Sequence, residues 1–149
     1  MRCIIMILTL LMPSLAHALD DGTLLFIENG QNLIECYTKS SYSHVAVVIG
    51  GQVYEAEPPK VSKYTEEEWF TNIGKLNEGR GSPALVVVLA PNKPYTKEEV
   101  TKMRDFLEKQ VGRPYSIKGY LKKTPAEGIH CSEMTVGALE AIGRCEFNG

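Results

Sequence analysis

The sequence predicts an α+β domain in which an antiparallel sheet packs against about three helices. Three observations carry that expectation. The Gly50-Gly51 pair joins two β-rich runs, "SHVAVVI" and "QVYEAE", and suits the positive φ angles of a two-residue hairpin turn. Two capping boxes, Thr65 with Glu68 and Thr96 with Glu99, each open a stretch that reads as helix. The chain has no internal repeat, low-complexity tract or linker, and its 149 residues, 44% hydrophobic and 23% charged, suit one globular core.

The first element is a short export pattern. Arg2 is followed by an apolar run from Cys3 to Met12, then Pro13, then a small-x-small ending at Ala16, His17 and Ala18. This predicts a secretory signal over residues 1–18, cleaved after Ala18, and a single domain over 19–149. The apolar run is about half of the roughly 20 residues a spanning helix needs, so no membrane span is expected after cleavage. Cys3 lies at the start of the apolar region instead of beyond its end, which argues against a lipoprotein. The mature chain is expected to be soluble outside the cytoplasm, periplasmic or secreted.

Within the domain, "GTLLFIEN" reads as a strand and "SHVAVVIGGQVYEAEP" as the hairpin. "YTEEEWF" follows as a short helix, then a Gly-rich polar loop through Gly81, then "ALVVVLAP" as a buried strand rich in valine. In "YTKEEVTKMRDFLEKQVGRPY" the residues Val100, Met103, Leu107 and Val111 recur at helical spacing until Gly112 and Pro114 end the pattern. Cys131, Met134, Ala138 and Ile142 recur in the same way and predict a last helix from Cys131 to about Ile142. The formal charge of −2 loses the +1 of Arg2 on cleavage, to about −3, and no basic block stands out, so no nucleic-acid partner is expected.

Signal removal leaves Cys36, Cys131 and Cys145, an odd number in a compartment where disulfides persist. The ends of the last helix lie roughly 16 Å apart at about 1.5 Å per residue, beyond disulfide reach for Cys131 with Cys145. The favoured arrangement pairs Cys36 with Cys145 and leaves Cys131 reduced; a Cys36–Cys131 bond, or three free thiols, stays open.

Chemistry concentrates on few residues. Cys131 at a helix N-terminus sits where the local positive potential favours a thiolate and where backbone N–H groups can receive an oxyanion. His130 adjoins it in sequence, and neighbours on a helix point about 100° apart, so it is poorly placed to take the thiol's proton. His44 is the better base. A hairpin turning at Gly50-Gly51 pairs Ala46 with Glu55 and His44 with Glu57, and the period of two puts His44, Glu55 and Glu57 on one face. A thiol, a base and a carboxylate that orients the base make a cysteine-protease type of constellation. A zinc site from His44, Glu55, His130 and Cys131 is the chemical competitor, but the histidines lack any short ligand spacing, so no metal or organic cofactor is expected. Tyr115, following Pro114, reads as structural.

Four stretches together, "GTLLF", "SHVAVVIGGQVYEA", "VGRPY" and "HCSEMTVGAL", resemble the permuted papain-like cysteine hydrolases of the YiiX/YaeF type. These are relatives of the NlpC-type cell-wall peptidases and of the lecithin:retinol acyltransferase group. In papain the cysteine precedes the histidine; here His44 precedes Cys131, as in the permuted group. The resemblance implies a circularly permuted papain-like fold with Cys131 as nucleophile, His44 as general base and Glu55, in "VYEA", as the residue orienting it, with Glu57 the runner-up. It implies peptidoglycan peptides or lipid-like acyl amides as substrates. A lipid acyl hydrolase or acyltransferase using the same residues, and a non-catalytic cell-wall binding module, are the alternatives.

Overall fold

A computed structural model of the chain describes residues 18–30, 39–118 and 127–144. The expected signal segment through His17, and both members of the favoured Cys36–Cys145 disulfide, lie outside the described residues. Strands β1 (Leu24–Glu28), β2 (Tyr42–Ile49), β3 (Gln52–Glu57) and β4 (Lys60–Thr65) precede helix α1 (Glu66–Asn77). Strand β5 (Leu85–Leu89) and helices α2 (Lys97–Gln110) and α3 (Cys131–Glu140) follow, the last of the elements among the described residues. The sheet is antiparallel throughout, in the order β4-β3-β2-β1-β5.

Local chemistry explains the boundaries. Gly50 and Gly51 turn the β2–β3 hairpin at φ +60° and +70°, values that cost a glycine little. Both capping boxes form as expected, Thr65 with Glu68 for α1 and Thr96 with Glu99 for α2. Gly112, at φ +87°, follows the end of α2.

The sheet buries both faces. Ala46, Val48 and Val53 pack with Leu25 and Trp69 on the side that α1 covers. Val47, Ile49, Tyr54 and Ala56 pack on the other side against Met103 and Leu107 of α2 and Met134 and Ala138 of α3. Residues of β2 therefore alternate between two cores, which is why the strand reads as a nearly continuous apolar run with one histidine in it.

The structure corrects four expectations. It adds the strand β4, "KVSKYT", which carries little signal in sequence because only Val61 of its six residues is fully buried and its alternation is weak. "ALVVVLAP" does form a strand, but an exposed one: β5 is the sheet's edge, and α2 and α3 lie over β2 and β3 instead of over it. The last helix stops at Glu140, so Ile142 lies beyond it, partly buried against the same core. Finally, the β2–β3 ladder runs from Ile49↔Gln52 to Ala46↔Glu55 and no further, so His44 does not pair with Glu57.

Candidate active site

The end of that ladder makes the site. Past Ala46 the strands β2 and β3 part, and the first turn of α3 brings Cys131 to the opening. In β2 the Val48 N–H points toward β1, donating to Thr23 O at 2.9 Å. By alternation the Val45 N–H points toward β3, where the ladder has already stopped. That N–H donates to the Cys131 sulfur instead.

His44 Nε2 lies 2.9 Å from Oε2 of Glu55, and the two side chains are buried together, 8% and 6% exposed. The His44 imidazole also hydrogen-bonds the Cys131 thiol. With Nε2 taken by Glu55, Nδ1 is the nitrogen left for sulfur, the tautomer logic of a thiol–imidazole–carboxylate line. Glu55 does not rely on His44 alone: Trp69 Nε1, from the buried side of α1, donates to the same Oε2 at 2.8 Å. Glu55 Oε2 thus serves both ring nitrogens, His44 Nε2 and Trp69 Nε1, and neither is left without a partner, as burial demands.

Electrostatics follows from these contacts. Burial works against charge on Cys131, yet hydrogen bonds from His130 and His44, the positive charge of His44 and the Val45 N–H outweigh it and lower the thiol to about 6. Burial likewise opposes charge on His44, and the Cys131 and Glu55 contacts outweigh it and raise the imidazole to about 10. Between those limits the stable form is a thiolate–imidazolium pair, with both values belonging to the coupled pair. Burial, and then the neighbouring Glu55 carboxylate, push the Glu57 carboxyl up. Its oxygen lies within 4.8 Å of the ligand atoms of His44 and Glu55, on the face the alternation predicts.

The structure thus brings together Cys131, His44 and Glu55, and leaves Glu57 beside them without the hydrogen bond to His44. It also brings in residues that sequence spacing does not favour. His130 is the N-cap of α3 at φ −107°, ψ 170°, an extended conformation, so the helical 100° separation does not apply to it. Its Nδ1 lies 2.9 Å from the Ser132 hydroxyl and accepts from the Glu133 N–H at 3.4 Å, while the ring also meets the Cys131 sulfur. His130 therefore touches the Cys131 sulfur, against the expectation from helical spacing. Tyr115 stands close enough for burial and then the charges of Cys131 and Glu57 to raise its hydroxyl. Trp69 carries one signal in sequence: it is the chain's single tryptophan, placed in the first turn of a capped helix.

Capping satisfies the Glu133 N–H, and the Met134 N–H closes the first helical bond to His130 O. The N–H groups of Cys131 and Ser132 remain at the open end of the helix, where a developing oxyanion is best received. Two cavities adjoin the site. One of about 390 Å³ runs behind His44, Glu55 and Glu57 toward α1. Another of about 620 Å³ lies between α2 and α3, with Phe106, Ile129 and Val136 on its walls and His130 and Ser132 at its mouth.

Comparison with solved structures finds the metalloprotein YiiX from Escherichia coli O157:H7, with a TM-score of 0.64 and 18% identity over 86% of this chain and 68% of that one. The chain has a YiiX-like fold. Among the described residues that fold is the α+β arrangement above, with a five-stranded antiparallel sheet and three helices. No family model matches the sequence, and no curated protein matches it significantly. No helix among the described residues is long and apolar enough to cross a membrane.

Proposed function

We propose that this protein is an exported cysteine hydrolase of the circularly permuted papain-like type, cleaving an amide bond in a peptidoglycan peptide or a related acyl amide. One observation carries the reading: a single imidazole, His44, joins the Cys131 thiol on one side to the buried Glu55 carboxylate on the other. In the reaction the Cys131 thiolate attacks the carbonyl carbon, and the N–H groups of Cys131 and Ser132 receive the oxyanion. The tetrahedral species collapses to a thioester as the His44 imidazolium protonates the leaving amine. Water, deprotonated by the now neutral His44, hydrolyses the thioester to release the acid and restore the pair. The apolar walls of the cavity beside His130 and Ser132 also suit lipid acyl hydrolysis or transfer by the same residues.

Iodoacetamide labelling at mildly acidic pH tests the chemistry. A thiol of ordinary pKa, about 8.5, barely reacts there, whereas an activated Cys131 reacts fast and loses that reactivity in His44→Ala. Reactivity that rises only near pH ~8.5 would refute the reading. Turnover of muropeptides against turnover of long-chain acyl amides and esters then sorts the substrates, and tight binding of muropeptide without turnover would mark a binding module.

A second reading has its own observation. The YiiX relative is described as a metalloprotein, and here His44, Glu55 and Glu57 offer ligand atoms within 4.8 Å of one another. As they stand, however, His44 Nε2 and Glu55 Oε2 are hydrogen-bonded at 2.9 Å and Trp69 holds the same oxygen, so a cation would have to break that bond. The arrangement fits a shared proton and does not fit a chelate. Elemental analysis of the purified protein separates the two: stoichiometric metal lost in Glu57→Gln would favour the cation.

A further inference from the structure

His130, the residue before the proposed nucleophile, is held by more bonds than a helix cap needs. Its side chain is only 12% exposed. Nδ1 accepts from the Glu133 N–H at 3.4 Å and lies 2.9 Å from the Ser132 hydroxyl, and the ring also hydrogen-bonds the Cys131 sulfur. We propose that His130 is a second catalytic imidazole of this site, a fixed hydrogen-bond donor that holds the Cys131 thiolate while His44 alone carries the proton. This role presupposes that Cys131 is the nucleophile, the reading proposed above.

The capping bonds fix the tautomer. A backbone N–H can only donate, so Nδ1, which receives the Glu133 N–H, bears no hydrogen. The Ser132 hydroxyl, able to act either way, then donates to Nδ1 as well. The hydrogen of the ring therefore sits on Nε2, and a ring this buried needs an acceptor for it. Oε2 of Glu133 stands 3.8 Å from Nε2, beyond hydrogen-bond length, which leaves the sulfur, the acceptor the ring does meet.

The two histidines thus differ in what holds them. His44 Nε2 is bonded to the Glu55 carboxylate, which favours a second proton on that ring. On His130 a second proton would have to go on Nδ1 and displace both capping donors. His130 therefore donates without transferring. In acylation the sulfur–carbon bond forms, the proton for the leaving amine comes from His44, and the Nε2 hydrogen of His130 stays where it is.

The variant His130→Asn separates this role from mere capping. Asn is among the best helix caps, so its side-chain oxygen takes over from Nδ1, and it stops short of the Nε2 position. The other groups whose charge reaches the sulfur, His44 of β2 and Tyr115 between α2 and α3, are left in place. The readout is iodoacetamide alkylation against pH, followed as the mass of the Cys131 peptide, with urea midpoints for stability. The expected result is an alkylation midpoint that rises from about 6 by roughly one to two pH units, the worth of one hydrogen bond to a charged group, with stability unchanged. Nitrogen-15 NMR of the wild-type His130 ring needs no variant, and the expected pattern is a hydrogen on Nε2 and none on Nδ1. An unmoved midpoint in folded His130→Asn, or a hydrogen on Nδ1 of the wild-type ring, would overturn the proposal and leave the hydrolase reading standing. A wild-type thiol that reacts only near pH ~8.5 would sink that reading, and this proposal with it.

Discussion

Replacing Glu55 with glutamine isolates what the carboxylate does to the base. The variant E55Q preserves shape: the side chain keeps its size and an oxygen for the Trp69 N–H, which donates at 2.8 Å in the native protein. What disappears is the negative charge 2.9 Å from His44 Nε2, in a place where both side chains are under a tenth exposed and solvent screens little. A hydrogen bond to a charged group contributes roughly 1.5–3 kcal/mol and a neutral one about 0.5–1.5, a difference of about 1–1.5 kcal/mol. At about 1.36 kcal/mol per pKa unit, the upper titration of the pair should fall by roughly one unit from its position near 10. The lower titration, that of Cys131, depends on His44 and His130 and should stay near 6. The assay is an NMR titration of the His44 ring protons on the alkaline side, with iodoacetamide kinetics on the acid side. An upper titration that does not move in E55Q would show that Glu55 does not stabilise the imidazolium, and the proposed line of three would fail.

Three other outcomes follow from the same geometry. Iodoacetamide reactivity of Cys131 should fall as pH drops through about 6, since the lowered thiol pKa keeps the thiolate only above it, and hydrolysis should decline again as His44 loses its proton near 10; a pH–rate profile checks both limbs. Trp69→Phe should lower stability by about 1–3 kcal/mol, because it removes the Nε1 donor from a buried carboxylate oxygen, read from urea midpoints. Leu107→Ala, in the fully buried seam of α2, should cost about 2–5 kcal/mol by the same assay while leaving the Cys131 titration in place.

Much of this is legible in the chain because the signals are local. Gly50-Gly51 sets the hairpin register, and from it Glu55 falls on the face of His44; the capping boxes at Thr65 and Thr96 set two helix starts. What is not legible depends on distant neighbours. β5 reads as buried because its valines resemble a core strand, and only the positions of α2 and α3, over β2 and β3, reveal why all of its residues but Val86 are exposed. The pairing of His44 with Glu57 fails because the ladder stops at Ala46↔Glu55, beyond which the Val45 N–H meets Cys131 of α3, a tertiary contact with no trace in "SHVAVVIGGQVYEAE". His130 departs from expectation for a different reason: the angular rule for helices does not hold for a residue whose backbone is still extended. Trp69 is a polar-tipped ring that needs an acceptor when buried, but which carboxylate it meets depends on how α1 lies on the sheet.

In the proposed hydrolase, the tryptophan also gives α1 a part in the chemistry, through the bond from Trp69 Nε1 to Glu55. Cys131 approaches from the side of α3, whereas Trp69 holds the far end of the same hydrogen-bonded line from the opposite side of the sheet. If α1 transiently peels away, Glu55 loses its second donor and His44 its fixed anchor, though nothing near the sulfur has moved. Amide exchange along Glu66–Asn77 would then track reactivity at residue 131, making the α1 helix a latch by which this protein can be disarmed from behind.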